Sequence, residues 1–289
     1  MRFDLKHRNI KNIIITFLVQ FFMSNAYSMM KALSTAASGM SAQETYVSTI
    51  SNNIANVNTV GFKRGRTEID DLGYETIQEA GARSSSSTVY NVGTQVGSGA
   101  RVSAIRKEFT IGSPQITNNP FDLMVNGEGF FGIIMPNGEL KFTRDGSFNV
   151  DAQGALVNKQ GYKIYPGFNF PPNTSSVMIA ENGKADAYVK GQTEPTSVGQ
   201  IPIFTFVNSV GLKSSGANLY QVSLSSGQPI QAVAGENSSG AIMQGALETS
   251  NVSPMTEMTD LIRAQRAYEM NSKVMGVADQ MMQTINNIR

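Results

Sequence analysis

Residues 31–66, KALSTAASGMSAQETYVSTISNNIANVNTVGFKRGR, decide the fold. Leu33, Ala36, Met40, Gln43, Val47, Ile50, Ile54 and Val57 follow one another at intervals of three and four in strict alternation, with Gln43 the one polar member. That is a heptad seam, and Ser, Thr and Asn fill the opposite face, so the spacing predicts a helix from residue 29 to about 58 with a narrow apolar stripe. An exit signal follows: Asn56 and Asn58 tolerate turn or left-handed conformations, and Gly61 has no side chain to clash.

The other end of the chain mirrors this. From Pro254 onward Ala264, Ala267, Asn271, Val274, Ala278, Met281, Ile285 and Ile288 repeat the three-and-four spacing, flanked by Tyr268, Met275 and Met282. Pro254 suits a first helical turn, Ser253 a cap, and Glu257 and Asp260 the positive end of the helix dipole. Met255, Met258, Met270, Met275, Met281 and Met282 are read as adaptable packing in the seam, not as metal ligands. Two amphipathic helices at opposite ends of one chain need something to bury their seams against.

Between them the period changes from 3.6 to 2. Residues 72–100 hold Gly73, Gly81, the serine run 84–87, Gly93, Gly97 and Gly99, too poor in apolar residues for a core, and predict an extended arm. Apolar runs separated by Asn137-Gly138, Asp145-Gly146, Gln153-Gly154 and Gln160-Gly161 then predict hairpins, the Asn-Gly and Asp-Gly pairs most strongly. Further strands are expected at 177–180, 185–190, 200–207 and 219–222, giving an antiparallel sheet or small barrel over about 108–235. The fold class expected is α+β. Residues 29–66 and 253–289 form a discontinuous helical coiled-coil domain from the two chain ends, 67–107 an extended linker arm, 108–235 a central mainly antiparallel β domain and 236–252 a returning linker.

Composition removes the commonest enzymatic solutions. The 289 residues contain no cysteine and one histidine, His7, so disulfides, thiolate nucleophiles and cysteine-bound metal are absent and a histidine base is unavailable to the body. Arg2, Lys6, Arg8 and Lys11 against Asp4 put +3 in the first 28 residues; of the total +1 this leaves −2 for the rest, which argues against nucleic-acid binding. Lys63, Arg64 and Arg66 are read as a solvated basic face. Gly127 and Gly129 lack a following Gly-Lys-Ser/Thr and are read as hairpin glycines, and Asp145, Asp151, Glu128 and Glu139 as turn residues. No catalytic, metal or cofactor site is expected. Residues 1–28 carry a basic head, the short apolar block IIITFLVQFFM (13–23) and small Ala26 and Ser28, the pattern of a secretory signal. The block is too short for a permanent transmembrane helix. Met29 and Met30 offer the alternative that the segment lies upstream of the true start.

The run 46–67, YVSTISNNIANVNTVGFKRGRT, resembles the N-terminal signature of bacterial flagellar axial proteins of the rod and hook. Residues 247–285, LETSNVSPMTEMTDLIRAQRAYEMNSKVMGVADQMMQTI, resemble that family's C-terminal helix, and DLMVNGEGFF and FTRDGSFNVDAQGALVN its shared β domain. Asn52, Asn53, Asn56, Asn58, Gly61, Phe62, Gln265, Arg266 and Tyr268 carry the motif. Length after Met29 and the tract 72–100 are similar to the distal-rod class of the family.

The resemblance implies a structural subunit and no enzyme: a helical homopolymer in the flagellar basal body, crossing the periplasm toward the outer membrane, that joins the proximal rod subunits to the hook protein. It implies as partners the P- and L-ring proteins, a rod-capping protein and the flagellar type III export apparatus, with no nucleic acid, cofactor or stable membrane insertion. Export through that apparatus favours the upstream-start reading of residues 1–28. The assembly interface expected from the seams comprises Leu33, Met40, Val47, Ile50, Ile54, Val57, Ala264, Ala267, Val274, Ala278, Met281 and Ile285. The Asn cluster is expected both to end the helix and to bond between subunits. A proximal-rod or hook-type subunit is the neighbouring reading. From composition alone, a secreted β-rich binding protein or carbohydrate-active enzyme is the reading from another class.

Overall fold

The computed structural model describes residues 3–81, 83, 90–191, 194–236 and 239–287, with the side chains of 3–28, 285 and 286 outside the description. The serine run 84–87 and the seam position Ile285 therefore fall outside the described residues or side chains. The protein is α+β, with a helix at each end and a central, mostly antiparallel β region. It divides into two units. One comprises residues 1–51, 67–105 and 258–289, the other 52–66 and 106–257.

In the first unit the N-terminal helix, α1, runs Phe3–Ala55, longer at its start than the 29–58 its seam predicts and three residues shorter at its end. The apolar block 13–23 continues the helix backbone. No described helix is long and apolar enough to cross a membrane. The C-terminal helix, α2, runs Pro254–Asn287, as its periodicity predicts. The Ser253 carbonyl, not its hydroxyl, accepts the Glu257 N–H in the first turn, while the hydroxyl accepts from Thr256 Oγ1.

The arm of this unit is extended, but it is folded into ribbons instead of running free. Tyr74–Gln78 pairs antiparallel with Thr94–Gly97, and Gly65–Asp71 with Ala100–Lys107. The first ribbon is tied to α1 by Lys31, whose Nζ donates to Glu75 Oε2 at 2.7 Å and to the Val96 carbonyl at 3.2 Å. Backbone pairing explains why an arm with few apolar side chains holds its shape: the ladder satisfies N–H and C=O groups without a core.

The second unit carries the core. Phe130–Ile134 is its central strand, with Leu140–Thr143 on one edge. The other edge is shared: Phe130 and Phe131 pair with Ile203–Thr205, and Ile133 and Ile134 with Lys163–Ile164. The sheet extends to Leu219–Gln221 and Lys213–Ser214 on one side and to Leu156–Val157 and Asn149–Val150 on the other. A separate three-stranded sheet is built from Thr174–Ile179, Lys184–Val189 and Thr196–Gln200. Leu123, Phe131, Ile133, Phe148, Leu156, Ile164, Ile201 and Ile203 form the main buried cluster, and Phe130, Phe142, Phe204, Leu212 and Tyr220 a second, largely aromatic one.

Three predicted turns occur where expected, at Asn137-Gly138, Gln153-Gly154 and Gln160-Gly161, each with its glycine at a φ of 81° or 82°. Asp145-Gly146 departs from expectation. The Asp145 carboxylate folds onto Ser147, and Gly146 is needed for space, since a Cβ there would lie 1.5 Å from the Leu123 carbonyl oxygen. Residues 236–252, expected as a returning linker, hold two strands: Ala241–Gln244 pairs with Leu123–Asn126, and Ala246–Glu248 with Pro114–Ile116. Each has too few apolar residues to announce itself, and each is fixed by a partner more than a hundred residues earlier.

Candidate assembly site

The segment 52–66 that follows α1 is the densest polar construction in the second unit. Asn53 is buried; its Nδ2 donates to the Gly65 carbonyl at 2.8 Å and to Glu257 Oε2 at 3.0 Å. Its Oδ1 accepts the Gly65 N–H at 2.9 Å. The amide thus closes the loop that the helix end opens. Asn56 stays local, donating to the Asn52 carbonyl at 2.9 Å and accepting from Thr59. Asn52 and Asn58 are exposed. Of the exit residues only Gly61 adopts positive φ, at 68°; Asn56 and Asn58 do not.

Lys63 is where sequence reasoning misplaced a charge. It is fully buried instead of solvated, and its Nζ donates to Glu248 Oε1 and to the Thr110 carbonyl, both at 2.6 Å. Arg144, also buried, approaches the other oxygen of Glu248 at 3.4 Å and donates to the Gly127 carbonyl at 2.8 Å. Glu248 also takes the Gly112 N–H at 2.9 Å, and its backbone carbonyl takes the Gly61 N–H at 2.8 Å. Two buried cations therefore share one buried carboxylate. Desolvation pushes the Lys63 ammonium below its ordinary value, with Glu248 opposing and Arg144 adding to the shift.

Arg64, half-buried, pairs with the buried Glu257 and with Glu108. Arg66 alone of the three cations is largely exposed. Phe62 is buried under the Lys107 ammonium, 4.4 Å from its ring centroid. No run of residues around Lys63 foretells this burial, because its partner is 185 positions away. The available signal was Glu248 itself, an acidic residue in a three-residue strand.

In the first unit the helices meet through small residues. A Cβ on Gly39 would stand 2.9 Å from Asn271 Nδ2, so α1 and α2 approach closely there. Ala36, Ala42 and Ile50 are buried on α1, and Ala264 and Ala278 on α2; Leu33, Met40, Val47 and Ala267 are half-buried. Ile54 and Val57, in the second unit, are also half-buried. Of the buried residues Ala36, Ile50, Ala264 and Ala278 lie on the three-and-four spacing, and Ala42 lies beside it. On α2, Val274 and Met281 are half or more exposed, and Met275 takes a more inward place than Val274. Met255, Met258, Met270 and Met282 are exposed. Gln265, Arg266 and Tyr268 are exposed as well. Met29 and Ala32 of α1, with Val274, Val277 and Met281 of α2, line an apolar groove of about 440 Å³.

No group of side chains suited to hold a metal ion occurs among the described residues. Glu128, expected in a turn, forms an isolated bridge with Ser239 instead, and Asp145 is taken up locally by Ser147 and Lys159. Lys63, Arg144 and Glu248 are too enclosed to meet a substrate, so their chemistry is that of a fastening.

Three family descriptions match the chain: "Flagella basal body rod protein" over residues 33–63, "Flagellar hook protein FlgE/F/G D1 domain" over 124–187 and "Flagellar basal body rod FlgEFG protein C-terminal" over 243–288. The flagellar basal-body rod protein FlgG of Caulobacter vibrioides is 44% identical over 261 residues, 90% of this chain and 100% of that protein. FlgG of Buchnera aphidicola from Schizaphis graminum is 42% identical over 90% of this chain and 100% of its own. FlgG of Borreliella burgdorferi is 43% identical, covering 90% and 99%.

Proposed function

The chain belongs to the bacterial flagellar basal-body rod family, and from that premise we propose that its copies polymerise head-to-tail into a stiff tubular shaft that carries motor torque to the hook. It is a structural subunit of the distal rod in the flagellar basal body, and not an enzyme. It self-assembles and associates with other rod and hook components. The carbohydrate-active and secreted-binder readings fall with the family.

One observation carries the polymer reading: Met270, Val274, Val277 and Met281 stand at helical intervals of four, three and four along α2, all exposed, and three of them border the apolar groove. A contiguous apolar stripe on a soluble surface marks an interaction site. A neighbouring copy's helix has the width and apolar character to fill it, completing the coiled-coil packing that a single chain leaves half made. The seam residues Leu33, Met40, Val47, Ala264, Ala267 and Ala278 then hold the two helices of one subunit together, while Val274 and Met281 face outward to the next. Contacts between unlike surfaces that do not close yield an open filament. The ribbons over 65–107 serve as the stiffening arm, and proximal rod subunits, hook protein, ring proteins, the capping protein and the export apparatus are the further partners.

Concentrated full-length protein, followed by light scattering and electron microscopy, is expected to form filaments, and Val274→Ser with Val277→Ser to remain monomeric with unchanged circular dichroism. Filaments from the double variant equal to those of the parent would remove the helix stripe from the interface.

A further inference from the structure

Two turns of the second unit are bound into one rigid frame. Ser223 Oγ donates to the Gly211 carbonyl at 2.6 Å, Asn208 Nδ2 to the Ser225 carbonyl at 3.1 Å, and the Ser225 and Ser226 N–H groups to Ser223 Oγ at 3.1 and 3.2 Å. A Cβ on Gly211 would lie 2.8 Å from Ser225 and Ser226 backbone atoms, so the turns touch main chain to main chain. On this frame stand three bare apolar side chains: Val207, 85% exposed, Val210, 41%, and Leu224, fully exposed. Single exposed apolar residues are ordinary. Three gathered on a frame that cannot fold them inward form a knob.

The same unit contains a cleft of about 620 Å³. Phe121 and Phe170, with ring centroids 5.9 Å apart, border it together with Pro171, Pro172 and Val177, and Asp151 lines it as the one charged residue. The knob's own stretch, 205–230, also holds one charge, Lys213. Lys213 sits opposite Gln221 in the ladder that leads to Leu224. The apolar lining and the sign of the single charge correspond.

We propose that the Val207–Val210–Leu224 knob of one copy seats in the Phe121–Phe170 cleft of the next copy, with Lys213 brought toward Asp151. The inference rests on the polymer reading and specifies one lateral contact within it. Knob and cleft are different surfaces, so the contact is heterologous and propagates instead of closing into a pair. Three side chains bury far less than the roughly 1,200–2,000 Å² of a stable pair, so the contact acts only beside the others in a filament.

The chain has no cysteine, which makes crosslinking specific. Gln153→Cys, on the exposed turn lining the cleft, and Leu224→Cys are combined in one chain, assembled and treated with a short bis-maleimide. A covalent ladder is expected from the double variant, and unlinked chains from each single variant. Filaments without a ladder would overturn the knob contact while leaving the polymer reading standing; no filaments from the parent chain under the same conditions would overturn both; a ladder without filaments would also overturn the knob contact, which is expected only inside a filament. As a second measurement, Leu224→Ser is expected to raise the critical concentration for assembly about 10- to 100-fold, the worth of one buried leucine, and an unchanged value counts against the proposal.

Discussion

Asn53 and Gly65 hold each other in both directions, the Asn53 amide donating to the Gly65 carbonyl and accepting from its N–H. An asparagine side chain here does what a strand neighbour would do. It allows the chain to leave α1, turn through 56–61 and start a strand without a buried backbone group left unpaired. Asn53→Ala is expected to strand the buried Gly65 groups at a cost of about 1–3 kcal/mol. Asn53→Asp should cost more, since it cannot donate to Gly65 and faces Glu257. Denaturant unfolding of the two variants orders them, and an aspartate variant as stable as the parent would refute the assignment.

Glu248 balances Lys63 and Arg144 in a place closed to water. Glu248→Gln removes the one negative charge from two buried positive ones and is expected to cost about 3–5 kcal/mol. The exposed Glu181→Gln serves as the reference, expected within about 0.5 kcal/mol of the parent. Equal thermal midpoints for the two would mean the cluster contributes little.

Burial holds the Lys63 ammonium below the ordinary 10.5, so the folded chain releases this proton at lower pH than the unfolded chain does. In the window just under 10.5 the unfolded state binds more protons, and stability from this group rises with pH; it is lost again as pH falls through the folded value. The stability of the parent relative to Lys63→Met should therefore rise as pH approaches 10.5 from below. A difference constant with pH across that window would contradict the desolvation account.

Gly61 combines a φ of 68° with no room, a Cβ there falling 2.6 Å from the Asp145 nitrogen, whereas Gly138 has a φ of 81° and open space. Gly138→Ala meets only the backbone penalty of roughly 1–2 kcal/mol. Gly61→Ala meets that and a main-chain collision, and is expected to be the less stable by thermal unfolding. The reverse order would show that segment 52–66 yields easily.

Much of this architecture is legible in the residues. The three-and-four spacing marks both helices because an amphipathic period survives whatever packs against it. Asn137-Gly138 declares its turn because positive φ is a local demand. The close approach on the N-terminal helix was less legible: Gly39 and Ala42 lie off the three-and-four spacing, and such small residues weigh little in a hydrophobic pattern. Lys63 could not be read at all. A charge beside two arginines looks solvated until a glutamate from the far end of the chain arrives, and nothing local encodes that arrival.

The cluster spans 185 positions from Lys63 to Glu248 and 204 from Asn53 to Glu257. A polypeptide delivered in order, whichever end leads, presents one half of this clasp long before the other. Until both are present the early half is a set of charges and amides with every reason to stay hydrated. A chain cut short anywhere between these positions therefore cannot fasten, and the segment after the first helix acquires its partners only when residues 248–257 have arrived.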